Sequence, residues 1–398
     1  MDAEFAAAAD AILNQATSGE RNVPGVVAMV SDRDGGLYER AAGVQRLGED
    51  AAMTTDSVFA LFSCTKAITG TAVLQLVEEG RLDLDAPAKL YAPHIGALEV
   101  LEGFDDQGAP RLRPPKRDVT TRMLMLHTAG FGYDYFNAAL KRLAQEHGQP
   151  DARLGSKRGL MAPLLFDPGE QWEYGLSVDW CGQVVEGIVG ERLDAVLKAR
   201  VFDPLGMTDT GFVLSAAMRA RRASMHRRDR TGALAPIAFE LPETPEVFMG
   251  GGALFGSAPD YMRFLRMWLS DGAGENGRVL RPETVAMAAR DNLDGMKIKR
   301  LPGVNRAVTN EAEFFPGLSK SWGLTFMVND EDAPTGRPAG SIGWSGLANL
   351  YYWADRKNGV AGFWASQLFP FMDPAPLGAF LAFEAALYQA LRRGRPRS

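Results

Sequence analysis

Apolar positions along the chain change period several times, and each change predicts an element. Near the amino end Phe5, Ala8, Ile12 and Ala16 recur at helical spacing, which predicts an amphipathic helix from Phe5 to Gln15. Two β-like runs follow, Gly25 to Ser31 and Gly36 to Gly43, joined by the hairpin signal Asp32-Arg33-Asp34-Gly35. From Leu61 the period is helical again, and this apolar stretch runs to Gly80, the expected glycine stop.

Between about 92 and 240 strand signals become few. Arg122 to His127, Asn137 to His147, Leu176 to Val189 and Asp194 to Val201 predict helical pieces among loops and prolines, so the stretch reads as a mostly helical insertion. Strand signals return after Met249, first in the glycine-rich run Gly250 to Gly256 and then, past a helix capped by Ser257 with Asp260 three residues on, in four apolar and aromatic runs. These are Trp322 to Asn329, Gly340 to Ser345, Ala348 to Asp355 and Gly359 to Gln367. Residues 293 to 315 read as a long mobile loop, and Pro374 to Leu391 as a closing amphipathic helix. The pattern predicts an α+β fold: residues 1–91 and 241–398 build one antiparallel sheet flanked by helices, and 92–240 form an inserted domain with the active site between the two.

Composition narrows the functional classes. A chain of 398 residues with 46% hydrophobic and 23% charged content has ample core, and a net charge of −6 argues against nucleic acid or an anionic membrane as the main partner. The arginines at 392, 393, 395 and 397 read as a solvated tail. No run is long enough to span a membrane, and the acidic start Met1-Asp2-Ala3-Glu4 is unlike a secretory leader, so a cytoplasmic location is expected. Cys64 and Cys181 fit that compartment as buried small hydrophobes rather than a disulfide. The four histidines, His94, His127, His147 and His226, make no metal-ligand spacing, and no metal or cofactor is expected. The chain contains no Gly-x-Ser-x-Gly, which disfavours a nucleophile elbow, and Gly250-Gly251-Gly252 is not followed by the lysine of a phosphate loop.

Candidate chemistry begins at the head of the long helix. Ser63 and Lys66 lie three residues apart, hence on one helical face. A serine hydroxyl needs a base to become a nucleophile, and a lysine serves only if burial lowers its pKa; Phe62, Ala67 and Ile68 supply an apolar setting. Tyr174, in Trp172-Glu173-Tyr174-Gly175-Leu176-Ser177 before a helix, is placed to share a proton with that lysine, which is expected to lower its pKa. Gly343-Trp344-Ser345-Gly346-Leu347, on an expected edge strand, is placed to offer a backbone N–H for an oxyanion.

Together Ser63-x-x-Lys66, Tyr174 and Trp344-Ser345-Gly346 resemble the serine β-lactamase and penicillin-binding-protein superfamily, especially its class C branch and the family VIII carboxylesterases. Further stretches carry the resemblance along almost the whole chain, among them Met125-Leu126-His127-Thr128-Ala129-Gly130, Phe166-Asp167-Pro168-Gly169 and Pro204-Leu205-Gly206-Met207-Thr208-Asp209-Thr210. It implies Ser63 as nucleophile, Lys66 and Tyr174 as the base and acid pair, and the amides of Ser63 and Leu347 as oxyanion hole. Trp344, Ser345 and Gly346 would contact substrate with Leu176, and position and composition add Tyr133 and Phe136 as aromatic walls. Two departures bear on substrate: the family's Tyr-x-Asn is Tyr174-Gly175-Leu176, and its Lys-Thr-Gly is Trp344-Ser345-Gly346. The second removes a cation that would hold a β-lactam or D-alanyl carboxylate, a charge-assisted contact of roughly 1.5 to 3 kcal/mol. The implied activity is hydrolysis of short to medium uncharged carboxylic esters through an acyl-enzyme; β-lactamase or D-alanyl-D-alanine peptidase activity and acyl transfer by the same serine are the alternatives.

Overall fold

The computed structural model describes residues 3–19 and 22–394; Met1, Asp2, Arg395 and Arg397, which entered the sequence-based expectations, lie outside the described residues. The chain opens with α1 (Ala3–Ser18), β1 (Gly25–Asp32) and β2 (Gly36–Gly43). A turn of 3-10 helix, Phe62–Cys64, leads into α2 (Thr65–Glu78), and α3 spans Ser177–Val189. After α4 (Ala258–Leu269) come β3 (Lys320–Trp322), β4 (Met327–Asn329), β5 (Ile342–Gly346), β6 (Leu350–Asp355) and β7 (Val360–Ala365), and α5 (Pro374–Arg393) ends the chain.

These strands form a seven-stranded sheet in the order β3-β4-β5-β6-β7-β1-β2, every pair antiparallel, so both ends of the chain contribute to it. Alternation along the strands decides what each face meets. Tyr351, Trp353 and Trp364 point toward α5, against Phe380 and Phe383, while Tyr352 and Phe363 point the other way, against Tyr261 of α4. Phe5 of α1 packs on Phe383, which adds α1 to the α5 side.

Several expectations need correction. The fully buried stripe of α1 is Phe5, Ala9 and Leu13; Ile12 and Ala16 flank it half-buried against the core, and of the expected positions only Ala8 is exposed. Trp322 to Asn329 is two strands: Gly323 and Phe326 close a turn, Thr325 takes φ 78°, and a Cβ at Gly323 would meet the Ala288 carbonyl at 2.3 Å. Segment 92–240 also holds strands, notably the hairpin Val100–Phe104 with Pro110–Arg113, and its Thr210–Gly211 pairs with Phe255–Ser257 beyond it. Residues 293–315 are pinned rather than loose: Leu301 and Ala312 exchange two 2.9 Å hydrogen bonds, and the Val304 N–H reaches the Tyr135 carbonyl at 3.0 Å. Arg393 is not merely solvated; it pairs with Glu4 at 3.3 Å.

Helix α2 is buried on nearly every side, so its length is set by packing rather than amphipathicity. A Cβ on Gly70 would lie 2.3 Å from Thr325, which allows the close approach only to glycine. At its end Gly80 adopts φ 68° while the N–H of Arg81 returns to Leu76 at 3.0 Å, a left-handed C-terminal cap.

Candidate active site

Ser63 sits in the turn that feeds α2, immediately after Phe62, a non-glycine residue held at φ 46°. Such a conformation persists only where the surroundings enforce it. Here Leu61 is tied by its N–H to the Leu254 carbonyl at 2.8 Å, and Phe62 packs against Phe239 and Phe369. Strand β5 is interior to the sheet rather than at its edge, but β4 pairs only with Ile342 and Gly343. Its remaining residues therefore lie open on that side and run beside the 61–63 turn: a Cβ on Gly346 would touch the Leu61 carbonyl at 2.5 Å. This brings Leu347 to the same cavity as Ser63. Neither amide donates to another backbone group among the described residues.

Lys66 is 1% exposed. Its amine contacts Ser63 Oγ at 3.3 Å, the Tyr133 hydroxyl at 2.9 Å and the Gly251 carbonyl at 2.7 Å, and it lies 4.8 Å from the centre of the Tyr174 ring. Burial lowers its pKa to about 8, against the opposing pull of the Asp179 charge. The apolar neighbours read from sequence are thus joined by three oxygens, which satisfy the amine while leaving it dry.

Tyr174 is 3% exposed and accepts a 2.8 Å hydrogen bond from the Trp344 indole N–H. Contrary to expectation its pKa is raised, because burial outweighs the hydrogen bonds from Ser63 and Trp344 that favour the phenolate. The phenol is therefore neutral at physiological pH. His127 packs 4.7 Å from it, with φ 57° and neither ring nitrogen hydrogen-bonded among the described residues, and burial holds the imidazole neutral.

The cavity over Ser63 is small, about 40 Å³. Of the substrate-contacting residues expected from sequence, Tyr133 and Leu176 line it, together with Leu347, expected in the oxyanion hole. Phe136, Trp344, Ser345 and Gly346 stand behind the wall: Phe136 makes an edge contact with Tyr174 and Tyr135, and Trp344 borders a separate small cavity with Phe314. Tyr135, in the aromatic segment 131–136 expected to supply walls, also lines it, whereas the polar liners Arg153 and Asp179 and the apolar Leu241, Met249 and Ala253 escaped the sequence reading. Asp179 carried a readable signal, since it follows Leu176 by three residues on one helix face; Arg153, on a short turn bonded to Asp151, carried none. The described residues hold no cluster of side chains suited to a metal ion.

Comparison with known proteins places this site in context. A family model described as Beta-lactamase matches residues 5–387. The "Monacolin J acid methylbutanoyltransferase" of Aspergillus terreus is 31% identical, covering 98% of this chain and 99% of its own. The "Lovastatin esterase" of Penicillium rubens is 32% identical over 92% of each chain. Among solved structures, unliganded simvastatin synthase (LovD) of Aspergillus terreus superposes with a TM-score of 0.83 at 30% identity, over 99% of this chain and 100% of that one. By the extent of these matches, the chain belongs to the beta-lactamase family.

Proposed function

We propose that the protein is a serine acyl hydrolase that forms an acyl-enzyme on Ser63, with esters as acyl donors. One observation carries this: a buried amine, its pKa lowered by burial to about 8, stands 3.3 Å from the hydroxyl of Ser63. Lys66 takes the proton as Ser63 Oγ attacks the ester carbonyl carbon. The amides of Ser63 and Leu347 receive the oxyanion of the tetrahedral intermediate. Tyr174, neutral and within reach of Ser63, gives its proton to the departing alkoxide and regains one from Lys66. Water activated by the same groups then releases the acid. Tyr133 and Leu176 bound the acyl group, and loss of the Lys-Thr-Gly cation at Trp344 favours uncharged esters.

A second reading, transfer of the acyl group to an alcohol, is favoured by the methylbutanoyltransferase that matches this chain end to end. The chemistry is the same up to the acyl-enzyme; only the acceptor differs. The test is a panel of p-nitrophenyl esters from acetate to octanoate, run with Ser63→Ala alongside and with product analysis in the presence and absence of a secondary alcohol. Loss of turnover in Ser63→Ala, with an acyl adduct on Ser63 in the wild type, supports the proposal; retained turnover defeats it. A new ester formed with the added alcohol identifies transfer, whereas free acid alone identifies hydrolysis.

A further inference from the structure

The glycine run Gly250-Gly251-Gly252 and the buried carboxylate of Asp179 have no part in the steps above, yet they meet beside Lys66. Asp179 is 2% exposed, and its Oδ1 accepts the Gly251 N–H at 2.7 Å. The carbonyl of the same Gly251 accepts from Lys66 at 2.7 Å. Only glycine fits there, because a Cβ would lie 2.5 Å from Asp179 Oδ2.

The consequence follows from counting donors. A neutral amine has two N–H bonds and one lone pair. The Gly251 carbonyl, which can only accept, takes one N–H, and the Tyr133 oxygen at 2.9 Å can take the other. The lone pair then faces Ser63 Oγ. Resting on the acyl-enzyme reading above, we propose that Asp179 is a positioning residue: through the Gly251 peptide it aims the Lys66 lone pair at Ser63, and its charge raises the pH at which Lys66 becomes a base.

The surroundings make Asp179 the main formal charge acting on the amine. From the turn before α2 comes the Cys64 thiol and from α3 the Cys181 thiol, both kept protonated by burial. Tyr133, Tyr135 and Tyr174 are neutral for the same reason, as is His127. Arg153, tied to Asp151 on the cavity wall, and Asp134 act on Tyr135 rather than on Lys66. Asp179 itself, pushed up to about 6 by burial, is ionised over the range in which Lys66 titrates.

Asp179→Asn separates the two roles, since its amide oxygen can still accept the Gly251 N–H but carries no charge. The acid limb of kcat/KM is expected to move to lower pH by about one unit, the lower end of what a neighbouring opposite charge produces. Asp179→Ala removes the acceptor as well; its limb moves likewise, and its plateau rate falls at least about tenfold below that of Asp179→Asn. The rate of Ser63 labelling by a fluorophosphonate, followed over the same pH range, reads the same limb without turnover. A folded Asp179→Asn whose limb coincides with that of the wild type overturns the proposal. Failure of the acyl-enzyme reading looks different: Ser63→Ala would then retain turnover and the wild type would not be labelled.

Discussion

The indole N–H of Trp344 donates to the hydroxyl of Tyr174 at 2.8 Å, deep behind the wall of the cavity over Ser63. An indole can only donate, so it occupies one lone pair of the phenol and leaves the phenol proton free to turn toward Ser63. Trp344→Phe keeps an aromatic ring in the cluster with Trp322 but removes that donor. Losing one partner of a buried hydrogen bond costs roughly 1 to 1.5 kcal/mol, so kcat for a p-nitrophenyl ester is expected to fall about fivefold to tenfold, with KM changed less than about twofold. Steady-state kinetics check this. An unchanged kcat would remove Trp344 from the account of Tyr174.

Titration of Lys66 has two readouts. The proposed mechanism uses the neutral amine, so kcat/KM is expected to rise with pH through about 8 and to level off above it. Stability moves the same way. The folded pKa lies below the ~10.4 of an unfolded lysine, so between those values the unfolded chain binds more protons and folding strengthens as pH rises. Below about 8 the penalty for burying Lys66 is fully present. Lys66→Met abolishes turnover and removes this linkage. Urea denaturation at pH 7.5 and 10 is expected to show the wild type gaining stability relative to Lys66→Met; equal gains in both would show that the amine is charged in the fold.

How much of this was legible in the sequence depends on whether a feature is local. Ser63 and Lys66 are separated by one helical turn, and periodicity alone puts them on one face. Strands of β5, β6 and β7 announce themselves because aromatic and apolar residues face both of their helix layers. The split between β3 and β4 was invisible because Leu324 and Phe326 are fully buried and read as strand; only Gly323 betrays the turn. The Tyr174 pKa was misjudged because a nearby cation is visible in a motif, whereas complete burial by Trp172, Trp322 and Trp344 is a tertiary fact. The link from Asp179 through Gly251 to Lys66 joins residues far apart in sequence, and no spacing could have disclosed it.

Substrate charge supplies a third prediction. With Trp344 in place of the lysine of the Lys-Thr-Gly pattern that the sequence resembles, no cation stands at that position, and Leu176 offers no amide. A charge-assisted contact of roughly 1.5 to 3 kcal/mol is therefore missing for β-lactams, which corresponds to at least about tenfold in kcat/KM. Nitrocefin and p-nitrophenyl butyrate measured on one preparation are expected to differ by at least that factor in favour of the ester. Equal or faster nitrocefin turnover would return the protein to the lactam-cleaving branch.

Gly175 tests how the two tyrosines are brought together. It follows Tyr174 directly, and a Cβ there would lie 2.5 Å from the backbone of Phe131 and Gly132, the stretch that leads into Tyr133. Backbone cannot yield as a flexible side chain can, so Gly175→Ala must push one segment away from the other. Overpacking of this kind costs about 1 to 3 kcal/mol, and it displaces the Tyr174 hydroxyl from Ser63 and Trp344. A lower Tm is expected together with a loss of kcat in the fraction that remains folded. Gly378 serves as the control: it is exposed within α5, and a Cβ there meets nothing within 4 Å. Gly378→Ala is expected to raise stability by roughly 0.5 to 1 kcal/mol, the helix-interior preference for alanine, and to leave ester turnover as it was. Should Gly175→Ala lose stability while its folded fraction keeps full kcat, the close approach of the two loops would be a packing feature only.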